Sequence, residues 1–258
     1  MRPLDAIAWM VGPLAPWALV LARTLGLAWT APALGTQGLG FRSRLLLAAT
    51  LTALIGPIVS RELSSPPNPA ALALACAAEV VIGAGLGWAG ALVIAGARQA
   101  GEVVGAQAGL SPAALFDPEA GEGMTAMGHL YGLVALAVFL GLDGPTELVR
   151  ALAGSYRAIP AGGGIPSPES ADWAFGQVAR ALELTLRASA PPALALTVAG
   201  LALGLLGRAA PTLQLVALSL PARTLIGLAL ASLGLAALAA TLATAWGQAA
   251  PWDLVGGG

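Results

Sequence analysis

The sequence predicts an all-α protein associated with a membrane. Hydrophobic residues make up 57% of the 258 positions and charged residues only 10%, and the mean hydropathy is +0.82. Soluble domains carry about 25% charged residues, and a core of this size could not hide so much apolar surface from water. About six apolar segments, several of them short or interrupted, read as helices between Gly- and Pro-rich breaks.

Composition and motifs also exclude several classes of function. All twelve basic residues are Arg and none form a run, which disfavours nucleic-acid binding. The single Cys76 and the single His129 make no metal-ligand pattern, so no metal or other cofactor is expected. Ser111 has no base nearby, and phosphate- and dinucleotide-binding motifs are absent, so we expect neither catalytic residues nor enzymatic activity.

The first apolar segment covers residues 4–34 and is expected to be retained as an uncleaved anchor. Pro13 and Pro16 should kink it or begin a new helix, because proline lacks the backbone N–H. Arg23 lies inside the segment, where a charge at the bilayer centre costs about 2.5–3.5 kcal/mol on insertion scales. It should therefore face protein or water, or extend to a lipid head group.

The second segment, residues 45–60, follows a Gly-rich turn and is short for a membrane span. After the loop SSPPNP at 64–69, the strongest helix is predicted at 70–97. Glu79 is embedded in that helix and is a functional candidate, since charges in apolar helices are costly. An interhelical pair with Arg23 is one interpretation, and a proton relay is another.

Small residues follow along the same helix and beyond it. Gly83 and Gly87 form a GxxxG step that lets another backbone approach closely. Arg98 and Glu102 are four residues apart on one helix face, so they can pair. The small-residue stripe then continues through glycines at the same spacing. These are Gly101, Gly105 and Gly109.

Residues 106–123, AQAGLSPAALFDPEAGEG, form the longest break that also carries clustered charge. The carboxylates are Asp117, Glu119 and Glu122. The segment is interpreted either as a solvated surface loop or as a gating element that folds back into a cavity. A metal site or an acid–base pair is disfavoured, because no His or Asn completes a ligand set.

The sequence predicts helices in the second half of the chain as well. A fourth apolar helix at 124–142 stops at the Asp-Gly-Pro sequence, and an amphipathic helix with Thr146 as N-cap covers 146–159. A flexible linker follows at 161–168. A helix capped by Ser170 then covers 170–190.

Pro191 and Pro192 should break or kink the next helix, which continues over 193–207 with a further GxxxG step at Gly200 and Gly204. The last apolar stretch covers 213–247 and is interrupted by Pro221 and Arg223.

An ordered set of landmarks spans residues 5–250. It comprises Arg23, the basic turn Phe41-Arg-Ser-Arg44, the approach Gly101-Glu-Val-Val-Gly-Ala-Gln-Ala-Gly109, the segment 110–118, Asp143-Gly144, Ser155-Tyr156, and Gly207-Arg208-Ala-Ala-Pro211. This set resembles the FliR family, the flagellar export-gate subunits whose injectisome relatives are called SctT. Pro145 stands where many flagellar members have His, and the flagellar type remains the favoured assignment.

The resemblance implies an all-helical gate subunit built of helical hairpins. Residues 1–160 would form a FliP-like half, 161–170 a linker, 171–250 a FliQ-like hairpin and 251–258 a frayed tail. The protein would assemble with FliP-like, FliQ-like and FlhB-like subunits in the bacterial inner membrane, at a flagellar basal body or injectisome base. It would contact lipid and pass unfolded protein substrates.

The resemblance also places the plug of the export channel at residues 106–123. Plug and gating residues would be Gly109, Leu110, Ser111, Leu115, Phe116, Asp117, Pro118 and Glu119. Helix packing and hinge residues would be Gly83, Gly87, Gly101, Gly105, Gly200 and Gly204, and the charges within the helices are Arg23, Glu79, Arg98 and Glu102. The alternative function is a small-molecule transporter, whose discontinuous helices the proline breaks would resemble.

Overall fold

The computed structural model describes residues 14–32, 40–59, 69–110, 125–162, 168–209 and 215–249. Every regular element in these ranges is a helix, so the all-α prediction is confirmed there. The helices in chain order are α1 (Ala15–Thr30), α2 (Phe41–Val59), α3 (Pro69–Gln107), α4 (Ala126–Gly141), α5 (Gly144–Ala158), α6 (Pro168–Ala209) and α7 (Leu215–Ala249).

Helix α1 begins where the prolines predict. Ala15 is its first residue and Pro16 lies in the first turn. A proline is well placed there because the first backbone N–H groups of a helix have no partner within it. The expected retained anchor upstream of residue 14 lies outside the described residues.

Helix α3 is longer than the sequence predicts. It continues past residue 97 to Gln107, so the first two residues of the predicted plug segment are helical. Its glycines did not end it, since helix stability in proteins comes mainly from packing, and the glycine positions are closely packed.

The prolines were predicted to break or kink their helices, and the predicted breaks were wrong, whereas a kink stays a prediction. Helix α6 passes through Pro191 and Pro192, and helix α7 passes through Pro221. The prolines remove only local backbone donors, and packing on both sides of the pair in α6 holds the helix together. One such contact is the hydrogen bond from Thr185 Oγ1 to the Gly96 carbonyl oxygen, at 3.0 Å. The proline argument for a transporter with discontinuous helices therefore fails.

Two predicted helix caps were also misplaced. Helix α5 has Asp143 as N-cap residue, with a left-handed φ of 57°, and Thr146 lies inside the first turn. Helix α6 begins at Pro168, which places Ser170 inside that helix. Both helices start earlier than the cap residues suggest because a proline fits the first turn without losing a bond.

The chain divides into two compact units made of interleaved segments. Unit 1 contains residues 1–92, 143–177 and 249–258. Its described core is formed by α1, α2, the first part of α3 and α5. Apolar residues from these helices fill it, among them Leu19, Ile55, Leu86 and Leu152. The amphipathic prediction for α5 is confirmed, since Leu148, Leu152 and Tyr156 are all buried.

Unit 2 contains residues 93–142 and 178–248. Within the described residues it combines the end of α3 with α4, most of α6 and α7. Buried residues include Val104, Phe139, Leu196 and Leu242. Because the units interleave along the chain, they do not follow the expected halves 1–160 and 171–250, which stay a prediction.

Two described helices are long and apolar enough to cross a membrane, and the number rises to four if each of two bent helix pairs is counted as one span. The first candidate is α3, and the second is the stretch Phe175–Leu205 within α6. Their burial differs: 50% of the α3 window is covered by the protein itself, against 11% for α6. Helix α3 is therefore half covered by the protein itself, whereas α6 presents most of its surface outward.

Candidate functional site

A buried ion pair joins α1 to α3 within unit 1. Arg23 Nε lies 2.5 Å from Glu79 Oε2, and the two side chains are 0% and 2% exposed. The interhelical pairing that the sequence left open is thus present. Two opposite charges removed from water require each other, since either one alone would be strongly destabilising.

The remaining polar atoms of this pair are also satisfied. Arg23 donates to Ser155 Oγ and to the Ile159 carbonyl oxygen, both at 3.0 Å, and its guanidinium lies 4.2 Å from the centroid of the Tyr156 ring. Glu79 Oε1 accepts the backbone N–H of Gly162 at 2.8 Å. The pair therefore ties α1, α3, α5 and the turn after α5 into one unit.

The crossing of α1 and α3 depends on glycine at three positions. A Cβ on Gly83 would overlap the carbonyl oxygen of Arg23, and a Cβ on Gly26 would overlap that of Val80. On Gly87 it would lie 2.7 Å from the backbone N of Ala31. Close backbone approach is the physical role of small residues at helix interfaces, and it brings Arg23 within reach of Glu79.

Helix α3 ends, within unit 2, in a defined C-cap. Gly109 has a φ of +74°, its N–H donates to Ala106 O at 3.2 Å, and the Leu110 N–H donates to Gly105 O at 2.9 Å. This pair of bonds around a left-handed glycine is the Schellman motif. It stops the helix at the start of the segment 111–124.

Packing fixes the same end of α3 to α6 and α7. Leu110 packs against Val104, Ala108 and Leu196. Thr224 Oγ1 donates to the Ala108 carbonyl oxygen at 2.9 Å. Such a contact between the residue after the cap and the last helical turn commonly accompanies the Schellman motif.

The far end of the same segment is fixed by Glu102 and Thr125. Glu102 Oε1 accepts the Thr125 backbone N–H at 2.8 Å, and Thr125 Oγ1 caps α4 by accepting the Gly128 N–H at 3.0 Å. A Cβ on Gly105 would lie 2.5 Å from Thr125 Oγ1, and one on Gly101 would lie 2.8 Å from the Gly128 Cα. Both ends of the segment thus meet at Gly105.

The expected pair between Arg98 and Glu102 is not formed among the described residues. Glu102 instead serves the start of α4, because a carboxylate at that position satisfies a backbone donor that the helix leaves free. The Arg98 stem packs over Gly132 of α4, with Nε 2.7 Å from where a Cβ would stand. Both residues contact α4, although not through each other.

The second GxxxG step behaves differently at its two positions. Gly200 faces the guanidinium of Arg223, whose Nη2 is 2.6 Å from the site of an added Cβ, whereas Gly204 has nothing within 4 Å. No backbone approach involves Gly204 in the described part of the chain. Its role in packing stays a prediction for a surface outside this chain.

Six predicted plug residues lie outside the described residues. They are Ser111, Leu115, Phe116, Asp117, Pro118 and Glu119. Across the described ranges no cluster of three or more His, Cys, Asp or Glu side chains could hold a metal ion.

Sequence reasoning missed several partners in these contacts. Thr125 directly precedes an apolar run and carries the signal of an N-cap residue, which could have been found. Ser155 lies beside Tyr156 on the buried face of an amphipathic helix, which marks it as a polar group needing a partner. The contacts of Ile159 and Gly162 are made by backbone atoms, so their residue types carry no signal.

The sequence matches the family described as bacterial export proteins, family 1, over residues 14–249. Flagellar biosynthetic protein FliR of Escherichia coli K12 is 32% identical over 212 residues, which cover 81% of this chain and 80% of that protein. FliR of Pectobacterium carotovorum is 30% identical over 210 residues, covering 80% and 78%. Yop proteins translocation protein T of Yersinia pestis is 25% identical over 217 residues, covering 83% of each.

Proposed function

The chain belongs to the bacterial export proteins of family 1, and from that premise we propose that it forms and plugs the channel of a protein-export gate. It is a membrane subunit of a flagellar or related type III export apparatus, and it is not an enzyme. In the proposal, residues 106–123 close the channel, and the flagellar system is the favoured one, as in FliR.

The observation that carries the plug is the convergence of its two ends. Leu110 bonds to Gly105 O on one side, and Thr125 packs on Gly105 on the other. The 14 residues 111–124 therefore leave and return at one place on a fixed base. Half that length, at about 3.4 Å per residue, reaches roughly 24 Å, enough to cover a passage beside the base.

The composition of the segment suits such a stopper. Leu115 and Phe116 would seal the passage by excluding water. The carboxylates of Asp117, Glu119 and Glu122 would remain hydrated. Gly109 would serve as the hinge, since a left-handed conformation there costs glycine little. Helical positions Gly101 and Gly105 would hold the base against α4 rather than bend.

The proposed partners are FliP-like and FliQ-like sister subunits and a FlhB-like subunit, with unfolded proteins as transient cargo. Support comes from the outward surface of α6, where Leu194, Val198, Leu201 and Leu205 are all exposed. Exposed apolar surface of this extent requires a protein or lipid cover. In this proposal the bacterial inner membrane is the location, and a FliP-like first half and FliQ-like second half reflect the two kinds of neighbour.

Deletion of residues 112–118 tests the plug, and it leaves Gly109 and Leu110 in place to keep the cap of α3. In a strain that depends on this chain for export, we expect raised ion leakage through the inner membrane, because the stopper no longer spans the passage. A same-length variant, Leu115→Ser with Phe116→Ser, should leak to an intermediate degree.

The matched control shortens the linker instead, by removal of Gly163 and Gly164, and should leave ion leakage at the wild-type level. Leakage is measured from intracellular potassium, and export from the amount of secreted substrate. Unchanged leakage together with unchanged export in the 112–118 deletion would rule out the plug.

A further inference from the structure

Unit 2 contains an open cavity of about 370 Å³ among α3, α6 and α7. Ligand sites in proteins commonly measure about 300–1,000 Å³. Three polar side chains line it, together with two leucines and a glycine. These lining residues are Gln107, Thr197, Arg223, Leu196, Leu201 and Gly200.

Arg223 brings a positive charge into this cavity without a protein counterion in the described residues. Its Nε is buried and has no hydrogen-bond partner within the described part of the chain. An arginine in a protein stays charged, and a buried donor left unpaired costs about 1–3 kcal/mol. Because Gly200 has no side chain, the Arg223 guanidinium can lie against the backbone of α6. The site therefore calls for an acceptor that carries negative charge.

Of the two other polar residues, only Gln107 has donors to offer a ligand, because the single hydroxyl hydrogen of Thr197 is already used. Thr197 Oγ1 faces Gln107 Oε1 at 3.5 Å, and it donates to the Ala193 carbonyl oxygen at 2.8 Å. With its oxygen turned to Thr197, Gln107 has its amide N–H groups to offer a ligand. A phosphate group, with several acceptor oxygens and negative charge, complements both donors.

The depth and surroundings of the cavity favour an amphiphile over a free ion. Gly200 lies five residues before the end of the apolar stretch Phe175–Leu205, about 7.5 Å along the helix. The exposed Arg208 follows that end. This is the level at which head groups meet apolar chains in a bilayer, and basic pockets between helices there bind lipid head groups. Beside the cavity, Leu194, Val198 and Leu225 are exposed.

We propose that this cavity binds an anionic phospholipid, with the phosphate on Arg223 and Gln107 and the acyl chains along the exposed apolar residues of α6 and α7. The bound lipid would supply the missing counterion and cover apolar surface at once. The lipid would thus be an integral component of this part of the protein rather than bulk solvent. The lipid proposal is tested by affinity and the plug by ion leakage, so either proposal can fail without the other.

The full chain, purified and delipidated in mild detergent, is titrated with phosphatidylglycerol and with phosphatidylcholine of the same acyl chains. We expect phosphatidylglycerol to bind about tenfold more tightly, or about 1.4 kcal/mol, because the choline cation of phosphatidylcholine offsets the phosphate charge and is repelled by Arg223. Arg223→Gln should remove that preference. Arg208→Gln, at the exposed arginine near the same end of α6, is the matched control and should keep it.

Equal affinity for the two lipids, or equal loss in both variants, would overturn the proposal. Inorganic phosphate binding as tightly as the lipid would identify a free-anion site and would overturn the lipid assignment. A photo-cross-linking residue at Leu201 gives a second test in the cell. Capture of phospholipid supports the proposal, whereas capture of protein alone contradicts it.

Discussion

At the scale of single residues, the buried charges of Arg23 and Glu79 are stabilised by protein partners rather than by water. Arg23 is completely buried, and Glu79 almost so, yet each of their polar groups finds a partner. Replacing such a pair with apolar residues is often neutral for stability, whereas removing one partner costs about 3–5 kcal/mol. The pair is therefore better explained as fixing the contact between α1 and α3 than as a net source of stability.

Glu79→Gln is expected to destabilise the protein by about 3–5 kcal/mol, because Arg23 keeps its charge without a buried counterion. The double variant Arg23→Met with Glu79→Leu should recover most of that loss. Thermal unfolding of the detergent-solubilised full chain measures both effects.

The matched control is Arg187→Gln, which removes the exposed pair with Glu183, whose side chains are 70% and 55% exposed. Exposed pairs contribute about 0–1 kcal/mol, so the thermal unfolding midpoint of Arg187→Gln should stay close to that of the unaltered chain. A Glu79→Gln midpoint as high as that of the control would refute a structural role for the buried pair.

At the scale of elements, α3 organises each unit in turn. Its first part receives α1 across Gly83 and Gly87 in unit 1, and its second part receives α4 across Gly101 and Gly105 in unit 2. The four-residue spacing keeps each pair on one helix face, since 3.6 residues make a turn. One stripe of small residues thus produces two helix crossings, and the second is the base of the proposed plug.

Gly83→Ala is expected to cost about 1–3 kcal/mol, because the added methyl group overlaps the carbonyl oxygen of Arg23 and the backbone must shift. Gly204→Ala is the control, since an added methyl group there meets nothing within 4 Å. It should be neutral or stabilise by up to about 1 kcal/mol, as alanine favours helix.

Thermal unfolding of both variants, under the same detergent conditions, compares them directly. The close-approach interpretation is wrong if Gly83→Ala unfolds no earlier than Gly204→Ala.

At the scale of the whole molecule, the outward surface of α6 governs behaviour in isolation. Large apolar residues on it are exposed, including Phe175 at 74%. Soluble monomers rarely expose contiguous apolar patches of more than a few hundred Å². The chain therefore needs neighbours, whether sister subunits, lipid or both, to reach its working state.

We expect the chain, expressed with its sister gate subunits, to co-purify with them as one complex and to aggregate when expressed alone and kept without detergent or lipid. Leu182→Arg with Leu186→Arg, exposed on α6 and outside the cavity lining, should reduce recovery of that complex by at least about tenfold, since buried unpaired charge is costly. Size-exclusion chromatography with subunit identification measures the recovery.

Arg208→Glu, at an exposed position on the same helix, is the control for a change of charge and should retain the complex. A stable monomer without sister subunits, in the absence of any lipid, would contradict the requirement for neighbours.

Sequence patterns found much of this architecture for identifiable reasons. The GxxxG steps at Gly83 and Gly101 predicted close helix approach, because nothing but a missing side chain permits it. The charge of Arg23 predicted a position against protein, water or a lipid head group, because the hydrocarbon interior cannot solvate it. The prolines at 191, 192 and 221 wrongly predicted helix breaks, and buried residues on either side of the pair in α6, Leu184 and Leu196, outweigh local propensity there.

Sequence alone determined that this chain is helical and apolar, and that the charges within its helices must avoid the hydrocarbon interior of a membrane. Those conclusions follow from the cost of exposing apolar surface and of burying charge, which any fold must respect. Only the tertiary structure decided that Glu79 pairs with Arg23, that Glu102 binds the start of α4 instead of Arg98, and that Gly204 faces open space. Partner choice depends on which helix faces cross in space, and spacing along one helix carries no information about that.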